Sequence, residues 1–529
     1  MTILEAIGLK IHIKDRLLVD IPELHIPNDA RIGLVGRNGS GKTTLLEVLA
    51  GLRTPDQGQV SIRARTGLIP QLPEPDTTKS GGEQTRKMIL HALAQQPELL
   101  LADEPTTNLD TAHIEWLEKL LRSWQGALVL VSHDRSFLDA VCTSIWEIRD
   151  GRLHIYPGNY SAYIAERELR DRQHDEAYER YMQERRQLER AIRLKEEKAA
   201  RATKPPKQVS PSEARITGAK PYFAKKQKKL HQSVKAMETR LEKLEKVEKR
   251  REPPPIRMSL LHDDAISGKV IMRVEKLPGH IGGRILWQPA SFHVRSGDKL
   301  AIIGPNGAGK TTLVKKLLQP DEHISLSPAV RIGYFSQRID VLDATKSILD
   351  NVRATSSQDE TTIRTVLARL HFFRDDVHKP VHVLSGGERV KVALAKIFVS
   401  DVNMLVLDEP TNFLDIETIE ALESLLRDYE GTVLCVSHDR RFIGNLATRI
   451  LAFEEGRLRL FEGSYEEYTQ RRDAISPSGK QADTDREERL LVIETRISEV
   501  LSRLSLEPSE QLEEEFAQLL AEKRRLLNR

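Results

Sequence analysis

At 529 residues, with 39% apolar and 30% charged side chains, the chain is long enough for more than one buried core, and it has no run of 18 apolar residues that could cross a bilayer. Two cysteines, Cys142 and Cys435, exclude a disulfide framework or a cysteine-held cluster, and their apolar surroundings ("AVCTSIW", "TVLCVSH") read as core. The net charge of +3 is uneven: residues 161–252 hold 26 Lys and Arg against 16 Asp and Glu, a local net of +10, so the remainder is negative.

In chain order, "MTILEAIGLKIHIKD" carries charges where a signal peptide would be apolar, so the chain is expected to be cytoplasmic. An apolar strand, "RIGLV" (31–35), then runs into "GRNGSGKTT" (36–44) and a helical pattern, "LLEVLAGL". This strand–loop–helix context is what a phosphate-binding loop needs. Gly36, Arg37, Asn38, Gly39, Ser40, Gly41, Lys42, Thr43 and Thr44 would wrap a phosphate. Backbone N–H groups and the helix N-terminus would face its charge. Next come Gln71, a seven-residue stretch "LPEPDTT" with two prolines that reads as a loop, and "SGGE", with Ser80, Gly81 and Gly82. "ELLLADEPTTNLD" (98–110) and "LVLVSHDRSFLD" (128–139) are strands ending in Asp103-Glu104 and Ser132-His133.

Residues 161–202 are polar, free of Pro and Gly, and place Tyr178, Tyr181, Leu188 and Ile192 on one face. Leu230, Val234, Met237, Leu241 and Leu244 alternate steps of four and three, the spacing of a coiled-coil seam. An antiparallel helical hairpin is expected. Between its arms, "TKPPKQVSPSEARITGAKPYF" (203–223) has four prolines and cannot be helical throughout. Residues 201–230 carry nine basic side chains against Glu213 alone, so this tip is expected to meet a polyanion, with a solvated spacer as the plain alternative.

The second half repeats the first. "KLAII" precedes "GPNGAGKTT", with Gly304, Pro305, Asn306, Gly307, Ala308, Gly309, Lys310, Thr311 and Thr312. Gln337, "LSGGE" with Ser385, Gly386 and Gly387, "NMLVLDEPTNFLD" with Asp408 and Glu409, and "VLCVSHDRRFIG" with His438 follow in the same order. Ser80 to Asp103 and Ser385 to Asp408 both span 23 positions, and Asp to His spans 30 in both halves. Lys to Gln is nearly matched, 29 against 27, while the Gln-to-Ser gap differs widely, 9 against 48. A duplicated domain with one local difference is expected, each copy an α/β fold around a mostly parallel sheet with ligands at its carboxyl edge. "DATKSILDNVRATSSQDETTIRTVLARLHFF" (343–373) has the helical periodicity to fill the longer gap. Phosphate chemistry suggests the roles. Thr43, Thr311, Asp103, Asp408, Gln71 and Gln337 would hold Mg²⁺; Glu104 and Glu409 would polarise water; His133 and His438 would bond the γ-phosphate. Residues 485–529 add a helical pattern broken at Pro508.

These motifs resemble the nucleotide-binding domain of ATP-binding-cassette proteins, and two cassettes around a charged connector, with "DEPTNFLD", resemble the ABC-F class. The resemblance implies cassettes at 1–160 and 256–475, a linker at 161–255 and a C-terminal extension at 476–529. It also implies an ATPase that closes head-to-tail around two Mg²⁺-ATP within a monomer. One site would join loop 36–43 to Ser385, Gly386 and Gly387, the other loop 304–311 to Ser80, Gly81 and Gly82. Departures are Phe413, where the class usually has His, "TTNLD" at 106–110, Lys79 for the usual leucine, and Ile13 and Ile281 (beside His12 and His280) for the adenine-stacking aromatic. The short first gap leaves no arm, as in some antibiotic-resistance members. The expected partner is the ribosome, its large-subunit rRNA and P-site tRNA, met by the linker tip, with Tyr222 and Phe223 available to stack. The expected outcome is protection of the peptidyl-transferase centre from lincosamide, streptogramin A and pleuromutilin drugs. A housekeeping translation factor and the energy module of an exporter are the rival readings.

Overall fold

A computed structural model describes residues 2–13, 16–71, 81–107, 109–202, 219–247, 269–336, 341–356, 358–475, and 493, 497, 500, 516–521, 523 and 524. It divides into two compact units, Met1–Tyr163 with Pro253–Arg529, and Ile164–Glu252.

The first unit begins with β1 (Thr2–Ile13) and β2 (Arg16–Pro27), antiparallel strands with Leu4, Ala6, Leu9 and Ile11 buried. Then come β3 (Arg31–Gly36), α1 (Lys42–Leu49), β4 (Gln57–Ile62), β5 (Thr66–Ile69), α2 (Gly81–Ala94), β6 (Leu99–Asp103), α3 (Thr111–Ser123), β7 (Ala127–Val131), α4 (Arg135–Val141), β8 (Ser144–Arg149) and β9 (Arg152–Pro157). A six-stranded sheet has the order β5-β6-β7-β3-β8-β9, parallel except for the β8/β9 hairpin. Strands β6 and β7 are buried along their whole length, as a parallel sheet covered on both faces requires. β1, β2 and β4 make a second sheet.

The second unit is made of α5 (Tyr160–Ala202), whose first residues lie in the first unit, and α6 (Ala219–Glu242). Five Arg–Glu pairs at i,i+4, from Glu166–Arg170 to Arg193–Glu197, brace α5, a helix with little apolar surface. Lys195 bonds Ser233, while Glu184 pairs with Arg240 at 2.8 Å. Partner numbers rise in one helix as they fall in the other, so the helices are antiparallel. Leu188 and Val234 from the expected seam are buried. α6 starts at Ala219, inside the stretch where prolines argued against helix. Pro221 sits in its first turn, where no intrahelical N–H is required. The tip at 203–218 lies outside the described residues.

The second half of the first unit repeats the plan: β10 (Val270–Ile281), β11 (Arg284–Arg295), β12 (Lys299–Ile303), α7 (Lys310–Leu317), β13 (Ile324–Leu326), β14 (Ile332–Phe335), α8 (Ile348–Arg353), α9 (Glu360–Arg369), α10 (Gly386–Phe398), β15 (Met404–Asp408), α11 (Ile416–Asp428), β16 (Thr432–Val436), α12 (Arg440–Leu446), β17 (Arg449–Glu454), β18 (Arg457–Glu462) and α13 (Tyr465–Ile475). Its sheet order, β14-β15-β16-β12-β17-β18, copies the first. The extra residues of the longer gap form α8 and α9, held by Ile348, Val352, Ile363, Val366 and Leu367 in one core with α10. "LPEPDTT" and Lys79 lie outside the described residues, as does most of 476–529, where Ile493, Val500 and Leu519 cluster. No helix among the described residues is long and apolar enough to cross a membrane.

Candidate functional site

Each phosphate loop sits where a central strand hands over to a helix, the switch point of its sheet. Gly41 and Gly309 take φ of 98° and 102°, and a side chain at Gly309 would strike Trp287, so only glycine makes this turn. Lys42 Nζ donates to the carbonyls of Gly36 and Arg37 at 2.7 and 3.0 Å. Lys310 Nζ does the same to Gly304 and Pro305, both at 2.9 Å. Burial lowers both lysines, while Glu104 and Glu409 respectively oppose that shift.

At the carboxyl edge of β6, Thr43 bonds Asp103, and at β15 Thr311 Oγ1 donates to Asp408 Oδ1 at 3.4 Å. The other Asp103 oxygen, Oδ2, is buried with no hydrogen-bond partner. Among the described residues no three His, Cys, Asp or Glu could hold a metal by themselves. A threonine hydroxyl with one carboxylate suits Mg²⁺, which completes its octahedron with phosphate oxygens and water. The residues therefore fit Mg²⁺-ATP.

The glutamate after each of these aspartates has a left-handed backbone, φ 50° at Glu104 and 51° at Glu409. Such strain at equivalent places in two repeats is held by the surrounding fold. Each backbone N–H donates to β7 or β16, at Val131 O or Val436 O, both 2.9 Å. Burial pushes both carboxyls up to about 8. His133 Nε2 is 3.4 Å from Glu104 Oε1, and His438 Nε2 is 3.5 Å from Glu409 Oε1. Burial lowers both imidazoles to about 3, so they are neutral at pH 7.

The two halves meet across these loops. Asn38 N–H donates to Asp415 Oδ2 at 2.9 Å and its side-chain amide to Phe413 O at 2.9 Å. Asn306 N–H donates to Asp110 Oδ2 at 2.8 Å. Asp110 and Asp415 are also the N-caps of α3 and α11, each accepting a backbone N–H of its own helix. Thus one carboxylate fastens its helix and the other half's phosphate loop. A cavity of about 1260 Å³ is lined from both halves: Lys42, Thr43, Gln71, Asp103, Glu104 and His133 with Ser385 and Gly387, and Lys310, Thr311, Glu409 and His438 with Gly82. Ile13 and Ile281 line it too. Ser80 and Gln337 lie outside the described residues; Gly81 and Gly386 begin α2 and α10.

Sequence reasoning missed the residues that cross between the halves. Asp110 and Asp415 were visible as acids opening a helical run in matching register. Arg135 is 2% exposed and pairs with Glu423 and, at 3.6 Å, with Asp439 of the other half. Arg440 pairs in return with Glu118. Their one signal was the same Asp-Arg after each histidine.

Two phosphate-loop sheets paired in this way define a tandem ATP-binding-cassette ATPase. A family profile described as ABC transporter matches residues 19–75 and 287–412, and a second of the same description matches 146–258. Ribosome protection protein VmlR of Bacillus subtilis (strain 168) is 30% identical, covering 93% of this chain and 92% of its own length. Energy-dependent translational throttle protein EttA of Mycobacterium tuberculosis (strain CDC 1551 / Oshkosh) is 30% identical, covering 86% and 92%. Putative ATP-binding protein YdiF of Bacillus subtilis (strain 168) is 30% identical, covering 89% and 83%. Among solved structures, the archaeal ribosome recycling factor aABCE1 in complex with ribosomal stalk protein aP1 shares the fold, with TM-score 0.57 at 18% identity over 88% of this chain and 92% of that one. The chain belongs to the ABC-F class of ATP-binding-cassette proteins.

Proposed function

We propose that the chain acts on the ribosome as an ATP-gated protection factor. Its cassettes close on two ATP molecules, the closed form binds at the tRNA exit site, and the basic linker tip reaches large-subunit rRNA and the P-site tRNA near the peptidyl-transferase centre. There it dislodges lincosamide, streptogramin A or pleuromutilin drugs, and hydrolysis releases it. The observation that carries the reading is the reciprocal pair of bonds, Asn38 to Asp415 and Asn306 to Asp110, which ties each phosphate loop to the opposite cassette. A nucleotide bridging one cassette's phosphate loop and the Ser-Gly-Gly signature of the other (385–387 or 80–82) stabilises that state over any open one, as differential affinity requires. The basic bias of 201–230, nine against one, supports phosphate contacts that carry affinity without reading sequence. The names of the ribosome protection and translational throttle relatives point the same way.

In each site, loops 36–44 and 304–312 cradle the phosphates, with the serine and glycines of the opposite signature closing over the γ-phosphate. Thr43, Asp103 and Gln71 in one site and Thr311, Asp408 and Gln337 in the other would hold Mg²⁺, which when bound would supply positive charge against the phosphate oxygens. Glu104 and Glu409 accept a proton from the attacking water, for which a carboxyl near 8 is well matched to neutral pH. Neutral His133 and His438 offer an N–H to the γ-phosphate. The domain boundaries 1–160, 161–255, 256–475 and 476–529, a cytoplasmic location and a monomer belong to the same reading.

The test is ribosome co-sedimentation of the Glu104→Gln/Glu409→Gln variant with ATP, together with growth of a sensitive bacterium expressing the chain on the three drug classes. Binding with raised resistance supports protection. Binding without resistance to any drug replaces it with a translation factor. Absence of ATP-dependent binding removes the ribosome from the account.

A further inference from the structure

Helix α5 starts at Tyr160, a fully buried residue held from two sides. On its own cassette's side, Tyr160 lies 5.7 Å from the Tyr163 ring, which meets Tyr156 edge-on at 5.0 Å. The hydroxyls of Tyr156 and Tyr163 both donate to buried Glu147 on β8, at 3.2 and 3.1 Å. This side is built within one cassette and needs no partner. On the other side, the guanidinium of Arg441 from the second cassette lies over the Tyr160 ring, 5.5 Å from its centroid. Arg441 is the third residue after His438, at the start of α12.

Three observations separate this contact from ordinary packing. First, it is one-sided. The repeat places Tyr465 where Tyr160 stands, at the start of α13, but Ser136 where Arg441 stands, so among the described residues no cation of the opposite cassette lies over the Tyr465 ring. Secondly, a cation beside a helix N-terminus opposes the helix dipole, so the contact is not a cap. Thirdly, the Tyr160 hydroxyl is buried without a hydrogen-bond partner, so the interaction uses the ring. A guanidinium on a desolvated aromatic face is a directional attraction. It exists only while the second cassette is against the first.

We infer that Arg441 on Tyr160 couples cassette closure to the base of α5: Tyr160 is a positioning residue through which the nucleotide-bound state of the ATPase orders the first turns of the connector. The inference rests on the reading that nucleotide closes the cassettes. Coupling of this kind needs a difference between two states at both ends. Here one end is the nucleotide turn that carries His438, and the other is the helix start.

The experiment uses the full chain with Glu104→Gln/Glu409→Gln, with fluorophores on one exposed residue of each cassette and amide hydrogen exchange followed across the first turns of α5. In the parent, ATP draws the fluorophores together and slows exchange at the α5 start by about tenfold, within the usual range of coupling. Tyr160→Leu and Arg441→Gln keep the ATP-driven fluorescence change and lose most of the exchange protection; Tyr160→Phe, with the ring retained, keeps both. Should Tyr160→Leu fail to fold, Arg441→Gln gives the same readout from the other cassette. Full ATP-dependent protection in Arg441→Gln overturns the inference. A parent that shows no ATP-driven fluorescence change overturns closure itself, and the coupling with it, which sets that failure apart from the first.

Discussion

Glu104 and Glu409 each combine a left-handed backbone with a buried carboxyl pushed up to about 8. The unfolded chain ionises these carboxyls near their ordinary value of about 4.5. Between roughly 4.5 and 8 the folded form therefore holds more protons, and stability falls as pH rises, by up to about 1.4 kcal/mol per pH unit and per glutamate. Replacing both with glutamine removes this loss. In nucleotide-free protein, the melting temperature of Glu104→Gln/Glu409→Gln should gain on the parent steadily from pH 5 to pH 8; a constant difference would contradict the assignment. The same variant should hydrolyse ATP at least about a hundredfold more slowly, within the range assigned to a general base, as a phosphate-release assay can show. These glutamates were legible because the repeat fixed their register twice. Phe413 was legible only as a departure. It is exposed and lines the cavity, and the bond to Asn38 uses its carbonyl, so that bond does not depend on the side chain.

At the scale of elements, α3 and α11 each begin at an aspartate that works for both cassettes. Asp359 offers a control, since it caps α9 and has no bond to the first cassette. Asp359→Ala should cost about 1 kcal/mol, the usual worth of a cap. Asp415→Ala should cost more and also raise the KM for ATP, because it leaves the Asn38 amide without its acceptor; equal effects of the two in denaturant titration and kinetics would refute the double role. The parallel strands that end in the site, α5 and the body of α6 were readable from apolar runs and periodicity, whereas the three-stranded antiparallel sheets and the first turns of α6, where Pro221 argued for a break, were not. The pairing of Asp415 with Asn38 was not, since 377 residues separate them and no local pattern encodes a partner at that distance.

For the whole first unit, the least exposed tie is Arg135 to Glu423, which Asn445 also bonds at 3.0 Å. Removing Glu423 leaves a buried guanidinium with Asp439 alone, a loss of about 3–5 kcal/mol. Glu423→Ala should split a shared calorimetric transition of the cassettes into two. A single transition at an unchanged temperature would show that the pair does not join them. If the tip binds rRNA through phosphates, affinity of the ATP-trapped variant should fall about linearly in log–log with salt. A flat salt response would move binding away from the linker.

Cys142 and Cys435 are buried in the two sheet cores, and burial raises both thiols, the first to about 12 and the second well above its ordinary value. Neither presents thiolate to the solvent at neutral pH. Maleimide chemistry should therefore pass over the native chain, and a thiol placed on any exposed position can be tagged selectively without first making a cysteine-free background.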